Sequence, residues 1–126
     1  MIEEIRLFFG KAHVFPNYLV VYMNEGITVK PEYNTHLINI AQKYFKDKPF
    51  GYITNRINSY AVNPLVYLQT SKIENLVAFA IVSNPDIKKS NVELEKIFMK
   101  IPFEHFSELE LAKKWVESII TKHSSN

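Results

Sequence analysis

The chain has 126 residues, 47% of them hydrophobic, with 15 basic and 13 acidic side chains and a formal net charge of +2. That is the size and composition of one globular domain, and the lack of cysteine excludes disulfides, thiol nucleophiles and thiolate metal sites. Interspersed charge with only two arginines, Arg6 and Arg56, argues against a nucleic-acid footprint, and no run of 18 apolar residues predicts a membrane span.

The first element, "IRLFFGKAHVF", alternates over Ile5, Leu7 and Phe9, meets Gly10-Lys11, and resumes out of phase at Ala12 and Val14. An extra residue in one bent edge strand produces that pattern. After the turn signal Pro16-Asn17, "YLVVYM" reads as a second strand, so residues 4–23 are expected to form an antiparallel hairpin. Thr28 is placed to cap a first helix with Pro31 in its first turn, and Tyr33, Leu37, Ile40, Ala41 and Tyr44 give that helix an apolar face. The helix should stop before Asp47-Lys48-Pro49, and "FGYIT" follows as a short apolar strand.

Asn63-Pro64 fits an N-cap followed by proline at the first helical position, for a brief helix ending near Ser71. "NLVAFAIVS" is apolar without interruption, as expected of a central strand covered on both faces. Ser83-Asn84-Pro85 precedes a third predicted helix carrying Ile87, Leu94, Ile97 and Phe98, which Pro102 limits. "FEHF" is a last short strand, and Ser107-x-x-Glu110 is a capping box for a final helix that buries Ala112, Trp115, Val116 and Ile119. The expected fold is therefore α/β: a mixed five-stranded sheet with an N-terminal β-hairpin and about four helices, in the order β-β-α-β-α-β-α-β-α. The later strands should be parallel because helices connect them. Residues 1–122 form the single domain, and 123–126 a flexible tail. With no leader-like segment before the first strand, the expected location is the cytoplasm.

Chemistry-bearing motifs are sparse. The three glycines, Gly10, Gly26 and Gly51, are isolated, so neither a dinucleotide fingerprint nor a phosphate loop can be written. His13, His36, His105 and His123 form no metal-ligand pair, and His105, between Glu104 and Phe106, is the one expected to be partly buried. Asp47 and Asp86 sit in turn-like or capping positions, and Glu25 reads as a structural carboxylate. No catalytic residue, metal or cofactor is nominated. The polar residues that stand out follow the third strand, in "ITNRINSYAVNPLVYLQT". Asn55 and Asn58 can brace a turn, Arg56 can pair with a carboxylate or a phosphate, and Ser59 and Tyr60 lie just before the short helix. With Leu65 and Tyr67 these are the candidate residues for contact with a partner or ligand. A phosphate on Ser59 would add roughly −1.5 to −2 charge at this corner.

The hairpin "FFGKAHVF-PN-YLVVYMNEG", the strands "FGYITN" and "LVAFAIVS" and the closing "IPFEHFSELELAKKWV" resemble the STAS superfamily, the anti-sigma-factor-antagonist-like domains. The likeness spans nearly the whole chain and is nearest to small single-domain bacterial proteins. It implies a mixed five-stranded sheet and a non-enzymatic role in binding partner proteins or small ligands. In the signalling members an Asp-Ser pair after a central strand carries the phosphorylated serine. Here Asn55 stands near the aspartate's place, Ser59 is the only nearby serine, and no glycine follows. Three readings stay open: a protein-contact module, with homodimerisation among its options; a binder of a small, lipid-like or aromatic ligand between sheet and helices, lined by some of the nine Phe and seven Tyr; and an enzyme using Arg56, Asn55 and a carboxylate such as Glu25.

Overall fold

The computed structural model describes residues 2–56, 61–63, 65–83 and 101–124. Its first three strands, β1 (Glu3–Leu7), β2 (Gly10–Val14) and β3 (Tyr18–Met23), form an antiparallel meander. The stretch expected to be one bent strand is thus two, with Phe8 and Phe9 reversing the chain between them. Neither residue has a positive φ, so the turn needs none of the Asn-Gly chemistry that marks mirror-image hairpin turns. Phe9 is buried and stacks on Tyr33 at 4.9 Å, while Phe8 projects outward and meets Tyr33 and His36 edge-on. Gly10 is fixed by proximity: a Cβ there would lie 2.1 Å from the carbonyl oxygen of Tyr22 on β3.

Strand β4 (Thr28–Val29) pairs in parallel with β6 (Ala61–Val62) in a separate two-stranded sheet. Thr28 is therefore a strand residue, not the expected cap. Helix α1 (Pro31–Phe45) has Lys30 at its N-cap without a side-chain bond, and proline opens its first turn, where amides lack intrahelical partners. Leu37, Ile40, Ala41 and Phe45 are buried, with Tyr33 and Tyr44 packed beside them.

The remaining elements are β5 (Phe50–Arg56), α2 (Leu65–Ser71), β7 (Leu76–Ser83), β8 (Phe103–Phe106) and α3 (Leu109–Ser124). The main sheet is mixed and has six strands in the order β1-β2-β3-β5-β7-β8, parallel from β3 onward. The sixth strand, against the five expected, comes from the split of the first element. Three helices are described where about four were expected; the helix anticipated after Ser83 falls on residues 84–100, outside the described residues.

The sheet separates two cores. On one side Ala112, Val116 and Ile120 of α3 pack on Val20, Ile53, Ala78 and Ala80, with Trp115 and Ile119 at the margin. On the other, Leu37 and Ile40 of α1 and Val66 of α2 cover Val21, Tyr52, Phe79 and Ile81. All eight residues of β7 are buried, as its unbroken apolar sequence requires of a strand with neighbours on both edges and cover on both faces. Among the described residues no helix is long and apolar enough to cross a membrane.

Candidate site at the carboxyl edge of the parallel strands

Alternation along β5 sends Ile53 toward α3 and Tyr52, Thr54 and Arg56 to the face covered by α1 and α2. The same rule places Phe79, Ile81 and Ser83 of β7, and Phe103 and His105 of β8, on that face. Its base is hydrocarbon: Tyr52 stacks on Phe79 at 4.8 Å and Phe79 on Phe103 at 5.3 Å, so these rings pack on one another. Moving toward the carboxyl ends the layer changes character. Thr54 stands beside Ile81, and Arg56 beside Ser83, as register partners in adjacent parallel strands. Ser83 Oγ and His105 Nε2 share a hydrogen bond. Arg56 and Ser83 are only 8% and 3% exposed, whereas His105 is half-buried on the outermost strand.

Helix α2 and the residue that leads into it are held from several directions. Asn63 Oδ1 accepts from the Leu65 amide at 3.0 Å, and the Asn63 amide donates to the Val29 carbonyl at 3.1 Å, tying the start of α2 to β4. Asn34, buried in α1, donates through Nδ2 to Gln69 Oε1 at 2.9 Å and to Thr70 Oγ1 at 3.0 Å. A buried amide is retained only where its partners are supplied, so this clamp sets how α2 lies on α1. Leu65, at the first position of α2, projects into solvent at 57% exposure, while Val66 beside it enters the core.

Of the residues expected to make contact, the structure therefore brings Asn55, Arg56 and Leu65 to one end of the fold in three different settings. Asn55 is half-buried on the α3 face, Arg56 is interior, and Leu65 is exposed. Asn58, Ser59 and Tyr60, and the side chain of Tyr67, lie outside the described residues. Ser83 and His105 are the additions. They are 22 positions apart in sequence, and only the β7–β8 pairing unites them; the visible signal was a histidine alternating with the apolar Phe103 in a short strand.

Elsewhere the chemistry is dispersed. On the open face of the hairpin Glu4 meets His13 at 2.8 Å, Lys11 at 3.7 Å and Arg6 at 3.8 Å. The His13 hydrogen bond, the largest influence, holds the Glu4 carboxyl below its ordinary value; desolvation opposes it, and the nearby Lys11 and Arg6 charges add to the lowering. Tyr18 is raised, chiefly by burial and then by Glu117 and Glu110. A groove of about 540 Å³ runs along the end of α1, between Ile38, Gln42 and Lys46 and the segment Lys72–Asn75, but its charges alternate in sign. Among the described residues no three His, Asp or Glu side chains are grouped to hold a metal ion. Comparison of the chain with protein-family models, curated proteins and solved structures gives no match.

Proposed function

We propose that the protein is a non-enzymatic, STAS-like cytoplasmic module that works by contact with a partner protein at the corner between β5 and α2. What supports this reading is the contrast within α2. The helix is clamped to α1 through Asn34 and to β4 through Asn63, yet it opens on Leu65, a large apolar side chain more than half exposed. A large apolar side chain on an immobilised frame can be buried by a partner with little ordering cost, which is where contact energy concentrates. Asn63, half-buried two positions before Leu65, supplies rim hydrogen bonding. Binding at the carboxyl ends of parallel strands also follows the general habit of α/β sheets.

The test is affinity capture from native extract with three baits: wild type, Leu65→Glu, and Ile2→Glu as an exposed apolar control on the hairpin. Partners retained by wild type and Ile2→Glu and lost with Leu65→Glu are expected. The same partners on all three baits would remove the corner from the contact surface.

A further inference from the structure

We propose that two copies of the chain associate through their β1 edges, antiparallel about a two-fold axis at Ile5, so that two six-stranded sheets become one. Leu65 has no part in this contact, and neither inference needs the other. Strand β1 is the first of its sheet and, among the described residues, pairs only with β2. The phase of the ladder fixes which of its backbone groups face outward. The Phe15 amide donates to the Tyr18 carbonyl and the Asn24 amide to the Phe9 carbonyl, each at 2.9 Å, at the two ends of the β2–β3 register. Bonded and non-bonded pairs alternate in an antiparallel ladder, so Lys11 and His13 turn their backbone groups to β3, and Gly10, Ala12 and Val14 turn theirs to β1. The bond from the Ile2 amide to the Val14 carbonyl agrees with this phase. Opposite Gly10, Ala12 and Val14 stand Leu7, Ile5 and Glu3, so the N–H and C=O groups of Glu4 and Arg6 point away from the sheet.

Charged residues on an edge strand normally discourage pairing; here opposite signs two positions apart make the edge complementary to itself. Glu4 and Arg6 are exposed and share the face opposite Ile5 and Leu7, which pack on the α1 core. A second β1 crossing antiparallel, with Ile5 opposite Ile5, sets Glu4 of each copy against Arg6 of the other. The outward backbone groups of those residues then meet as hydrogen-bonded pairs, and Ile5 meets Ile5 as a non-bonded pair, the kind whose side chains lie closer. Sliding one copy by two residues is the smallest shift that keeps each face in place. It centres the seam on Glu4 or on Arg6 and sets like charges directly opposite each other, which is unfavourable. The arginine is placed to reach across: its side chain is 88% exposed, and its Nε is 3.8 Å from Oε2 of Glu4 in its own copy, beyond hydrogen-bonding distance. His13 and Lys11 approach the other carboxylate oxygen, Oε1. Ile2 and Phe8, 58% and 70% exposed, lie immediately before and after β1, and the same register puts each at the position facing the other in the partner copy.

The experiment measures the mass of the full chain by sedimentation equilibrium over a range of concentrations. Reversible growth from the 14.7 kDa monomer to twice that mass is expected, because a seam one short strand long holds weakly. Arg6→Glu, at an exposed side chain, sets like charges across the seam and should weaken association about tenfold. Glu4→Arg should do the same. Mixed together, these two variants are complementary across the seam and should form a heterodimer at concentrations where each alone is a monomer; Arg6→Glu carries the test if Glu4→Arg does not fold. The register is tested separately. The chain has no cysteine, so Ile5→Cys puts a single thiol at the axis, where a non-bonded pair holds its Cα atoms about 4.5 Å apart, within disulfide reach. Mild oxidation should cross-link Ile5→Cys, and should spare Glu3→Cys, which is more exposed but further from the axis. A monomer at every concentration would overturn the proposal. So would a dimer that a folded Arg6→Glu leaves unweakened, or oxidation that links Glu3→Cys as readily as Ile5→Cys.

Discussion

Gly51→Ala is predicted to destabilise the protein, and to reverse sign when Val116 is trimmed. A Cβ built on Gly51 lies 2.1 Å from Cγ1 of Val116 and 3.3 Å from its Cβ. Val116 is fully buried at the centre of α3, and a β-branched side chain in a helix has essentially one rotamer, so it cannot swing aside. Overpacking of this kind costs about 1–3 kcal/mol, against about 0.4–1 kcal/mol returned by the stiffer unfolded chain that alanine gives. The net loss should be about 1.5 kcal/mol, or about 5 °C in Tm for a chain of this length. Val116→Ala alone should cost about 2 kcal/mol, by removing buried methyls. In that background the obstructing atoms are gone, the alanine methyl occupies part of the vacated space, and Gly51→Ala should be neutral or stabilising. Urea unfolding of the four proteins yields the coupling directly as a double-mutant cycle. An equal penalty in both backgrounds, or a gain in the wild-type background, would refute the packing of α3 on β5.

Asn34→Ala should cost about 2 kcal/mol in urea unfolding, because it leaves Thr70 and Gln69 without the amide that joins α1 to α2. Lys46→Gly should raise stability by about 1 kcal/mol: Lys46 follows α1 at φ 48°, a conformation that favours glycine, and that relief exceeds the added freedom of the unfolded chain. Glu4 gives a pH signature. Its folded value lies below the ordinary 4.5, so its contribution is complete above that value and is lost as the pH falls through the lowered one. The acid limb of a stability–pH curve should therefore be shallower in Glu4→Gln than in wild type.

Much of the fold was legible because hydrophobic period and turn chemistry agreed. The unbroken apolar run of β7, the stripe of α1 and the Asn63 cap of α2 all arise from local rules that the tertiary structure obeys. The failures were also physical. The β1–β2 reversal runs through two phenylalanines at ordinary φ, held by stacking on Tyr33 across the fold, so no turn residue announces it. Strand β4 exists because β6 pairs with it from 33 positions away (Thr28 to Ala61), a partner that local reading does not see. The candidate site divides in the same way. The cluster of polar residues after β5 could be read directly, but the interior position of Arg56 depends on the strand continuing through it. The Ser83–His105 bond depends on which strand lies beside β7.

The central claim, that the protein binds through the carboxyl-edge corner, is tested most directly by mapping a captured partner onto the fold. Amide spectra of the 15N-labelled protein, recorded with and without that partner, should change at Asn55, Arg56, Asn63 and Leu65, and stay constant along β1 and β2. Changes that fall on the Glu3–Val14 hairpin and spare the corner would contradict it.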